Sequence, residues 1–478
     1  MIKKTDPDII KGYLEDSSNL TGGHADGVYL PESEAEIAEA LTKCNSKKIP
    51  LTVSAGQTGT TGGCIPFGGW ILTTHKLNKI INIDKEQKFA VVQPGVTLEE
   101  LEKAVAKEGL LYPPDPTEKT ATLGGNVSTN ASGGRCYRFG STRNWIKRLK
   151  IVFPSGEKLD VARNDKIQSS RYSLLVPRYS MPKTKNSAGY FSAPGMDLVD
   201  LFIGSEGTLG IVTEIEVALA PALQETFDIV AFFPTEEQAV DFVEESKKAE
   251  DKEVNFYEFF DENTLQMLKP SFPHIPAGAK AAVYIEQEIV EESNKAFIDY
   301  WAELIEKYGG SLDNCWLAAD ARQKEELAKF RHAIPEHINE LFKQHHQTKL
   351  ATDIAVPAGQ FKEMFEFYRN ALRVTRYASL FYIKFGHIGD NHLHVNLLAK
   401  NGKELTLSKE LVLKFVRKAV ELGGTVSAEH GIGKIKHDYL KEMYGDAGIK
   451  EMVRVKKEFD PAYILGLNNI YEKERLAA

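Results

Sequence analysis

Histidines are concentrated in one short stretch of the chain. FGHIGDNHLHVNLL, residues 385–398, holds three of the twelve histidines in a sequence of 478 residues. Imidazole is both a common metal ligand and a base that works near neutral pH, so His387 and His394 are candidate metal ligands. The alternative interpretation is a polar hairpin whose imidazoles are solvated or hydrogen-bonded. A third ligand, an acid–base group and a cofactor elsewhere in the chain would favour the metal site.

A predicted turn at GDN and the distant Glu429 help to decide between a metal site and a polar hairpin. FYIKFGHI and HLHVNLL are strand-like runs on either side of GDN, which is typical of a hairpin turn. Side chains alternate along a strand, so two residues seven apart on one straight strand would face opposite sides. Folding back at the turn lets His387 and His394 approach each other. TVSAEHGIGKIKH, residues 425–437, then offers Glu429 as an anionic ligand with His430 beside it. From the residues alone, ligation and coincidence both stay open.

Three glycine-rich segments indicate a bound cofactor. They are SAGQTGTTGG at 54–63, DPTEKTATLGGNVSTNASGG at 115–134 and GSEGTLGIVTEIEV at 204–217. Glycines let successive backbone N–H groups converge on an anion such as a phosphate. None of the segments is a Walker loop or a dinucleotide GxGxxG motif. Each alone could be an ordinary tight turn, but together they favour one extended phosphate-bearing ligand covered by several loops.

In this order the segments resemble the FAD-binding domain of the vanillyl-alcohol oxidase/p-cresol methylhydroxylase flavoproteins. GHIGDNHLH and SAEHGIG narrow the resemblance to the FAD-dependent D-2-hydroxyacid dehydrogenases, which include D-lactate dehydrogenase, the catalytic subunit of glycolate oxidase and D-2-hydroxyglutarate dehydrogenase. The resemblance extends over nearly the whole chain. It implies an α+β fold with a two-subdomain FAD-binding domain at 1–223 and an α+β substrate (cap) domain with an antiparallel sheet at 224–424. The segment 425–478 would return to the FAD domain and carry Glu429 and His430.

The resemblance also implies which residues hold FAD. Flavin is attached through histidine or cysteine in the covalent members, and no histidine lies at 54–63 or 112–144, so we expect noncovalent FAD. Cys64 and Cys136 are expected to be small packing residues. The residues expected to hold the pyrophosphate, flank the flavin and its ribityl chain, or close the site are Ser54, Ala55, Gly56, Gln57, Thr58, Gly59, Thr60, Pro114, Asp115, Thr122, Gly124, Gly125, Ser128, Thr129, Gly134, Glu206, Gly207 and Ile211.

The resemblance assigns the remaining site residues as well. The positions matching His387, His394 and Glu429 bind a divalent metal in the family, here Zn, Mn or Fe, and His430 matches the catalytic base. The substrate-binding positions of the family match Arg331, for the carboxylate, and Asn396. His392 departs from the family, which usually has asparagine there. A solvent-facing position and a contact with substrate both stay open for His392.

These residues imply the oxidation of a 2-hydroxy acid. The acid would chelate the metal, which lowers the pKa of its hydroxyl, while neutral His430 takes the proton and the C2 hydride moves to flavin N5. The electrons would then pass to a separate acceptor protein or quinone. Intact Glu429 and His430 disfavour a noncatalytic flavin subunit of an electron-transfer complex. A non-redox enzyme like alkylglycerone-phosphate synthase is disfavoured because the histidine run and longer chain of that family are missing.

Two positions predict a short monocarboxylic D-2-hydroxy acid such as D-lactate. Enzymes for D-2-hydroxyglutarate resemble KLATDIAVP, residues 349–357, but carry lysine where Ala351 stands and a hydroxyl residue where Pro335 stands. A second carboxylate would therefore enter this site without a matched partner. Lys349 or His392 would have to substitute if the enzyme instead used D-2-hydroxyglutarate. Glycolate is a further alternative substrate.

Periodicity predicts the elements that must position these groups. In the first half we expect strands at 27–31 and 50–56, helices at 32–48 and 97–110, and a hairpin at 145–161. The segment 163–197 has little periodicity and many turn residues. A second alternation begins near 224, with strands predicted at 226–234, 254–260 and 281–288 and helices predicted at 235–250 and 293–309.

Composition excludes several classes of protein. With 42% hydrophobic and 26% charged residues the chain is globular, and its net charge of −8 argues against a nucleic-acid binder. Four scattered cysteines indicate a reduced protein without an iron–sulfur domain. The N-terminal MIKKTDPDIIKG is no signal peptide, and no apolar run approaches the roughly 18 residues of a membrane span. We therefore expect a cytoplasmic protein, at most peripheral to a membrane, that forms a homodimer or part of a complex.

Overall fold

Residues 1–223 build two main sheets of different kinds and one two-stranded sheet. The computed structural model describes residues 1–249, 253–289, 294–345 and 348–477. The strands of the first part are β1 (Ile2–Lys4), β2 (Gly27–Leu30), β3 (Leu51–Ser54), β4 (Trp70–Thr73), β5 (Ile80–Asp84), β6 (Phe89–Val92), β7 (Leu110–Leu111), β8 (Ile146–Val152), β9 (Lys158–Ala162), β10 (Ile211–Ala218) and β11 (Ala220–Pro221). In the first sheet β4 pairs in parallel with β2 and β3, and β1 joins the edge antiparallel. The second sheet is antiparallel in the order β5-β6-β10-β8-β9.

Six helices of 4 to 14 residues lie between these strands in the chain. They are α1 (Pro7–Lys11), α2 (Glu34–Lys47), α3 (Leu98–Ala106), α4 (Leu123–Thr129), α5 (Cys136–Phe139) and α6 (Thr142–Trp145). Thr97 and Glu100 form a capping box that starts α3, and this helix ends before the predicted residue 110 because the chain turns at Gly109, where φ is +73°. The hydroxyl of Thr122 accepts from the N–H of Gly125, so part of the second glycine-rich segment is a helix rather than a loop.

Residues beyond 224 form a large antiparallel sheet. Its strands are β12 (Thr226–Phe233), β13 (Val254–Asp261), β14 (Ala281–Glu288), β15 (Trp316–Ala318), β16 (Thr348–Ala351), β17 (Ile354–Ala355), β18 (Phe381–Gly386) and β19 (His392–Ala399). They pair in the order β15-β12-β14-β13-β18-β19-β16, and β17 adds to β19. The helices that follow in the chain are α7 (Glu236–Ser246), α8 (Glu262–Leu268), α9 (Asn294–Lys307), α10 (Ala321–His345), α11 (Phe361–Arg373), α12 (Gly402–Glu421) and α13 (His437–Phe459).

Alternating side chains of β13 show how the sheet is covered. Tyr257 packs against Trp301 of α9, whereas Phe260 packs against Phe330 of α10 on the opposite face. Charged Glu258 lies on the same face as Phe260 because side chains alternate along a strand. That face therefore carries both apolar packing against α10 and a buried charge. The predicted α+β fold with an antiparallel cap sheet is confirmed.

The C-terminal segment returns to the first sheet. The N–H of Leu51 in β3 donates to the carbonyl of Ile464 at 2.7 Å, and the N–H of Gly466 donates back to Leu51 at 3.0 Å. Lys456 and Asp460 form a buried ion pair of 2.6 Å beneath this contact. The segment is thus fixed to the strand that leads into the first glycine-rich loop. Among the described residues, no helix is long and apolar enough to cross a membrane.

Candidate active site

A cavity of about 640 Å³ lies between the glycine-rich loops and one face of the cap sheet. Its walls include the loop that follows β3, the first turns of α4, and residues of β13, α10 and β19. The residues predicted to hold FAD that line it are Ala55, Gly56, Gln57, Thr58, Gly59, Thr60, Thr122, Gly125, Ser128, Thr129, Glu206 and Gly207. An added Cβ at Gly59 would meet no atom within 4 Å, whereas one at Gly56 would lie 3.2 Å from the carbonyl of Thr120. Small residues thus leave room for a ligand along this wall.

The other predicted FAD residues lie behind the wall of the cavity. Ser54, Pro114, Gly124 and Ile211 are buried, and Ile211 packs in the core beside β8. The six residues of this set are Ser54, Pro114, Asp115, Gly124, Gly134 and Ile211. Gly134 has a packing role, because a Cβ there would lie 2.5 Å from Nη2 of Arg331. In this structure these six residues shape the wall rather than line it.

The hairpin brings the predicted metal ligands together. Nε2 of His387 lies 3.1 Å from Oε1 of Glu429, and Nε2 of His394 lies 3.9 Å from Oε2. His392 joins them, with Nδ1 at 3.8 Å from Oε1. One candidate ligand atom from each of these four buried residues lies within 4.8 Å of the others. The cluster therefore contains one histidine more than the three ligands predicted.

Contacts at Nδ1 of His387 and His394 leave the Nε2 atom of each ring facing Glu429. Nδ1 of His394 lies 3.1 Å from the carbonyl oxygen of Thr352, which can only accept a hydrogen bond. Nδ1 of His387 lies 2.8 Å from Oε1 of Glu258. A carbonyl or carboxylate at Nδ1 keeps the proton there and leaves the lone pair of Nε2 free for a metal. Glu258 was missed in the sequence, although a lone charge in the apolar run VNFYEFF could have indicated it.

Lys185 and His387 place positive charge beside the carboxylate of Glu429. Lys185 forms a close ion pair with this carboxylate and lies 3.4 Å from Asp390. Burial opposes ionisation, but the charges of His387 and Lys185 hold the pKa of Glu429 well below its usual range. Burial likewise opposes charging of His387, but Glu258 and Glu429 raise its pKa to about 9. These carboxylates therefore favour a cation at this point, as a divalent metal site requires. Lys185 lies in the irregular segment 163–197, where no pattern singled it out.

Asp353 organises the loop that carries the predicted base. Its carboxylate accepts hydrogen bonds from the backbone N–H groups of Glu429 and His430, at 3.1 and 3.0 Å, and from Nζ of Lys436 at 2.8 Å. Nδ1 of His430 lies 3.4 Å from the same carboxylate, and Nε2 lies 4.0 Å from Oε2 of Glu429. Burial lowers the pKa of His430 below its ordinary value against the opposing charge of Asp353, so the ring is neutral and can accept a proton. Asp353 was not identified in the sequence, although it interrupts the apolar run around 351–357.

Arg331 and Asn396, the predicted substrate-binding residues, both line the cavity. Arg331 belongs to α10, but its side chain is only 14% exposed, and its guanidinium lies 2.8 Å from Glu258. Asn396 is buried, and neither its amide oxygen nor its amide nitrogen has a hydrogen-bond partner. A buried polar group without a partner is costly, so a ligand that pairs with Asn396 would be stabilised. Ala351 and Pro335 line the same cavity, whereas the side chain of Lys349 lies outside the described residues.

The interpretation of His392 as solvent-facing is wrong. Its side chain is 0% exposed, in a strand whose backbone is covered by β17 and β18. Residues 392, 394 and 396 alternate with buried apolar neighbours and so face the same side of β19. The sequence pattern HLHVN indicates the shared face, because the three polar residues recur at the period of a strand, but it does not indicate that this face is buried.

Comparisons with known proteins agree over almost the whole chain. Residues 25–162 match the family described as "FAD binding domain", and residues 224–468 match "FAD linked oxidases, C-terminal domain". The chain is 32% identical to a D-lactate dehydrogenase of Anaerostipes hadrus, over 92% of this chain and 88% of that protein. It is 30% identical to the glycolate oxidase subunit GlcD of Bacillus subtilis, over 97% and 92%. It is 28% identical to a D-2-hydroxyglutarate dehydrogenase of Stutzerimonas stutzeri, over 98% and 95%.

A solved structure supports the fold. The 4-ethylphenol oxidase of Gulosibacter chungangensis superposes with a TM-score of 0.72 at 16% identity, over 99% of this chain and 95% of that one. At this identity the likeness concerns the fold alone.

Proposed function

Because the chain belongs to the FAD-linked oxidases, we propose that it is a dehydrogenase that oxidises a short D-2-hydroxy acid to the 2-oxo acid. The observation that carries this proposal is one cavity that joins the glycine-rich loops to a cluster of His387, His394, Glu429 and His430. A redox cofactor and an acid–base group would thus meet at one substrate. D-2-Hydroxyglutarate and glycolate are the alternative substrates.

FAD would be held noncovalently along the wall formed by residues 55–60, the start of α4 and Glu206–Gly207. When bound, FAD supplies the acceptor for the C2 hydride and the route of the electrons to a separate acceptor protein or quinone. Burial raises the pKa of both the Cys64 and the Cys136 thiol to about 12, so neither is available as a thiolate for attachment to the flavin. The backbone donors and hydroxyl groups of the loops account for binding without a covalent bond.

His387, His394 and Glu429 would hold a divalent cation. When bound, the cation supplies Lewis-acid polarisation of the substrate hydroxyl. The inward Nε2 atoms and the ionised carboxylate are the donor set that Zn, Mn or Fe accept. Oε1 of Glu429 contacts both the ammonium of Lys185 and Nε2 of His387. The positive charge of Lys185 therefore offsets the charge of Glu429 at the proposed metal site.

His430 would take the proton of the substrate hydroxyl on Nε2. Asp353 orients the ring through Nδ1 and stabilises the imidazolium that forms, as a carboxylate does beside a catalytic histidine. Arg331 would bind the substrate carboxylate on the part of its guanidinium that does not face Glu258. Asn396 would satisfy its unpaired amide on the same substrate. His430, Arg331 and Asn396 all line the cavity.

A screen of flavin reduction tests the proposal. D- and L-lactate, glycolate, D-2-hydroxybutyrate and D-2-hydroxyglutarate would be added anaerobically to the FAD-loaded protein, and flavin absorbance would be followed. We expect bleaching by short D-2-hydroxy acids and none by the L-enantiomer. Glu429→Gln should remove metal and turnover together and retain FAD. Failure of every acid to bleach the flavin would instead favour a non-redox or noncatalytic flavoprotein.

A further inference from the structure

The imidazole of His392 is fully buried, and its ring nitrogens lack hydrogen-bond partners. Its side chain is 0% exposed, and neither ring nitrogen makes a well-directed hydrogen bond. Nε2 lies 3.2 Å from Oδ1 of Asp353, and Nδ1 faces Glu429 at 3.8 Å. Buried imidazoles ordinarily pair both nitrogens, so an unpaired Nδ1 beside a carboxylate and two further histidines needs a partner.

The spacing of the cluster fits one cation among four protein ligands. A metal with bonds of about 2.1 Å to nitrogen and oxygen places neighbouring ligand atoms about 3 to 3.5 Å apart and opposite ones about 4.2 Å apart. The distances from the Glu429 carboxylate to the rings of His387, His392 and His394 are 3.1, 3.8 and 3.9 Å. Nδ1 of His392 is therefore no farther from this carboxylate than the nitrogen of His394. One candidate ligand atom from each of the four residues lies within 4.8 Å of the others, close to the separation of opposite ligands around one ion.

Asp353 sets the direction of the ring. Its carboxylate accepts hydrogen bonds from the backbone N–H groups of Glu429 and His430 and from Nζ of Lys436, so it acts as an acceptor. A proton on Nε2 of His392 would face Asp353, and the lone pair would remain on Nδ1 toward Glu429. A carboxylate that holds the distal nitrogen of a histidine is a common support for metal ligands. The same carboxylate orients His430, so one group would position the base and the added ligand.

We propose that His392 binds the cation of the active site through Nδ1, as a fourth protein ligand. This inference rests on the proposed function, because it concerns the same cation. The donor set is then three imidazole nitrogens and one carboxylate, which favours zinc and the later first-row metals over magnesium or calcium. Four protein ligands also leave fewer coordination positions for the hydroxyl and carboxylate of the substrate. His392 thus restricts how a 2-hydroxy acid can bind the metal.

Metal affinity separates this role from simple packing. Zinc binding would be measured on the metal-stripped, FAD-loaded protein for wild type, His392→Asn, Glu429→Gln and His332→Asn. His332 is the matched control, since it lines the cavity outside the cluster. We expect His392→Asn to weaken zinc binding by more than about 100-fold, beyond the range of about 10- to 100-fold typical of outer-shell partners of metal sites, and His332→Asn to leave it unchanged. Asparagine is the usual residue at this position in the resembling family, so the variant should fold and keep FAD.

The outcomes distinguish the inference from the proposed function. If wild type binds no zinc, or Glu429→Gln binds it as tightly as wild type, the proposed metal site falls and the inference with it. If Glu429→Gln loses zinc and His392→Asn binds it like wild type, only the inference is overturned. Anomalous diffraction from zinc-loaded wild-type crystals tests the same point without a variant. A distance of about 2.1 Å from zinc to Nδ1 of His392 supports ligation, and one beyond about 3 Å rejects it.

Discussion

Replacing Ala351 with lysine should create activity on a dicarboxylic substrate. Ala351 lines the cavity at the end of β16, directly opposite Asn396 of β19 in the antiparallel register. Residues opposite each other in such a pair face the same side of the sheet, so a lysine at 351 would extend into the cavity beside Asn396. Its ammonium could then bind a second carboxylate. We therefore expect Ala351→Lys to raise kcat/KM for D-2-hydroxyglutarate.

The size of the gain follows from the strength of one charged hydrogen bond. Such a bond contributes about 1.5–3 kcal/mol, which corresponds to about a 10- to 150-fold gain at about 1.4 kcal/mol for each tenfold. Two features of the cavity reduce the gain. Arg331 carries the same charge in the same cavity, and the cavity admits water, which screens the new pair. We expect an increase of about 10-fold for D-2-hydroxyglutarate and no increase for D-lactate.

Steady-state kinetics with an artificial electron acceptor would check this expectation. The ratio of kcat/KM for D-2-hydroxyglutarate to that for D-lactate would be compared among wild type, Ala351→Lys and Ala351→Met. Methionine is the control because it is long and flexible but uncharged. An equal shift in both variants would mean that bulk rather than charge is responsible. A wild-type enzyme that already prefers D-2-hydroxyglutarate would refute the assignment of a short substrate from Ala351 and Pro335.

Three further predictions concern the base, the cofactor and the C-terminal segment. His430→Asn should keep metal and FAD and slow flavin reduction in anaerobic stopped flow by about 100-fold or more; a nearly normal rate would exclude His430 as the base. Acid precipitation should leave the yellow flavin in the supernatant, whereas a yellow pellet would indicate a covalent bond. Lys456→Met should lower the free energy of unfolding in urea by about 3–5 kcal/mol, because Asp460 would stay buried without its partner. A loss below about 1 kcal/mol would show that Asp460 becomes hydrated or protonated at little cost.

Local patterns in the sequence predicted many elements up to residue 309 and the hairpin around GDN, but not the helices α10, α11, α12 and α13. Helix caps and period-two alternation depend on residues a few positions apart, so the strands and helices were predicted close to their places, and the hairpin at 145–161 is present. The hairpin around GDN was predicted for the same reason, and it brings His387 and His394 together. The family resemblance supplied what local patterns lack, namely the pairing of this hairpin with Glu429 and His430.

Residues that support the site were missed because their role depends on long-range contacts. Asp353, Glu258 and Lys185 each bind a partner more than 70 positions away in the chain. A charged residue within an apolar strand indicates a buried partner but does not identify it. For His392 the sequence left a solvent-facing position and a substrate contact both open, and the structure excludes the first. His392 is buried because β17 and β18 both pair with its strand, β19. The residue pattern of β19 alone does not show these pairings.

The candidate site lies where three segments of the chain meet, and buried charged residues connect those segments. The cap sheet contributes the histidines, the C-terminal segment contributes Glu429 and His430, and the irregular segment 163–197 contributes Lys185. Three segments that are distant in sequence keep their relative positions only through contacts between them. Asp353 ties the cap sheet to the C-terminal segment, and Lys185 ties the irregular segment to Glu429. Since the same carboxylates also set the charge of the site, a change that weakens these contacts should lower metal affinity and stability together.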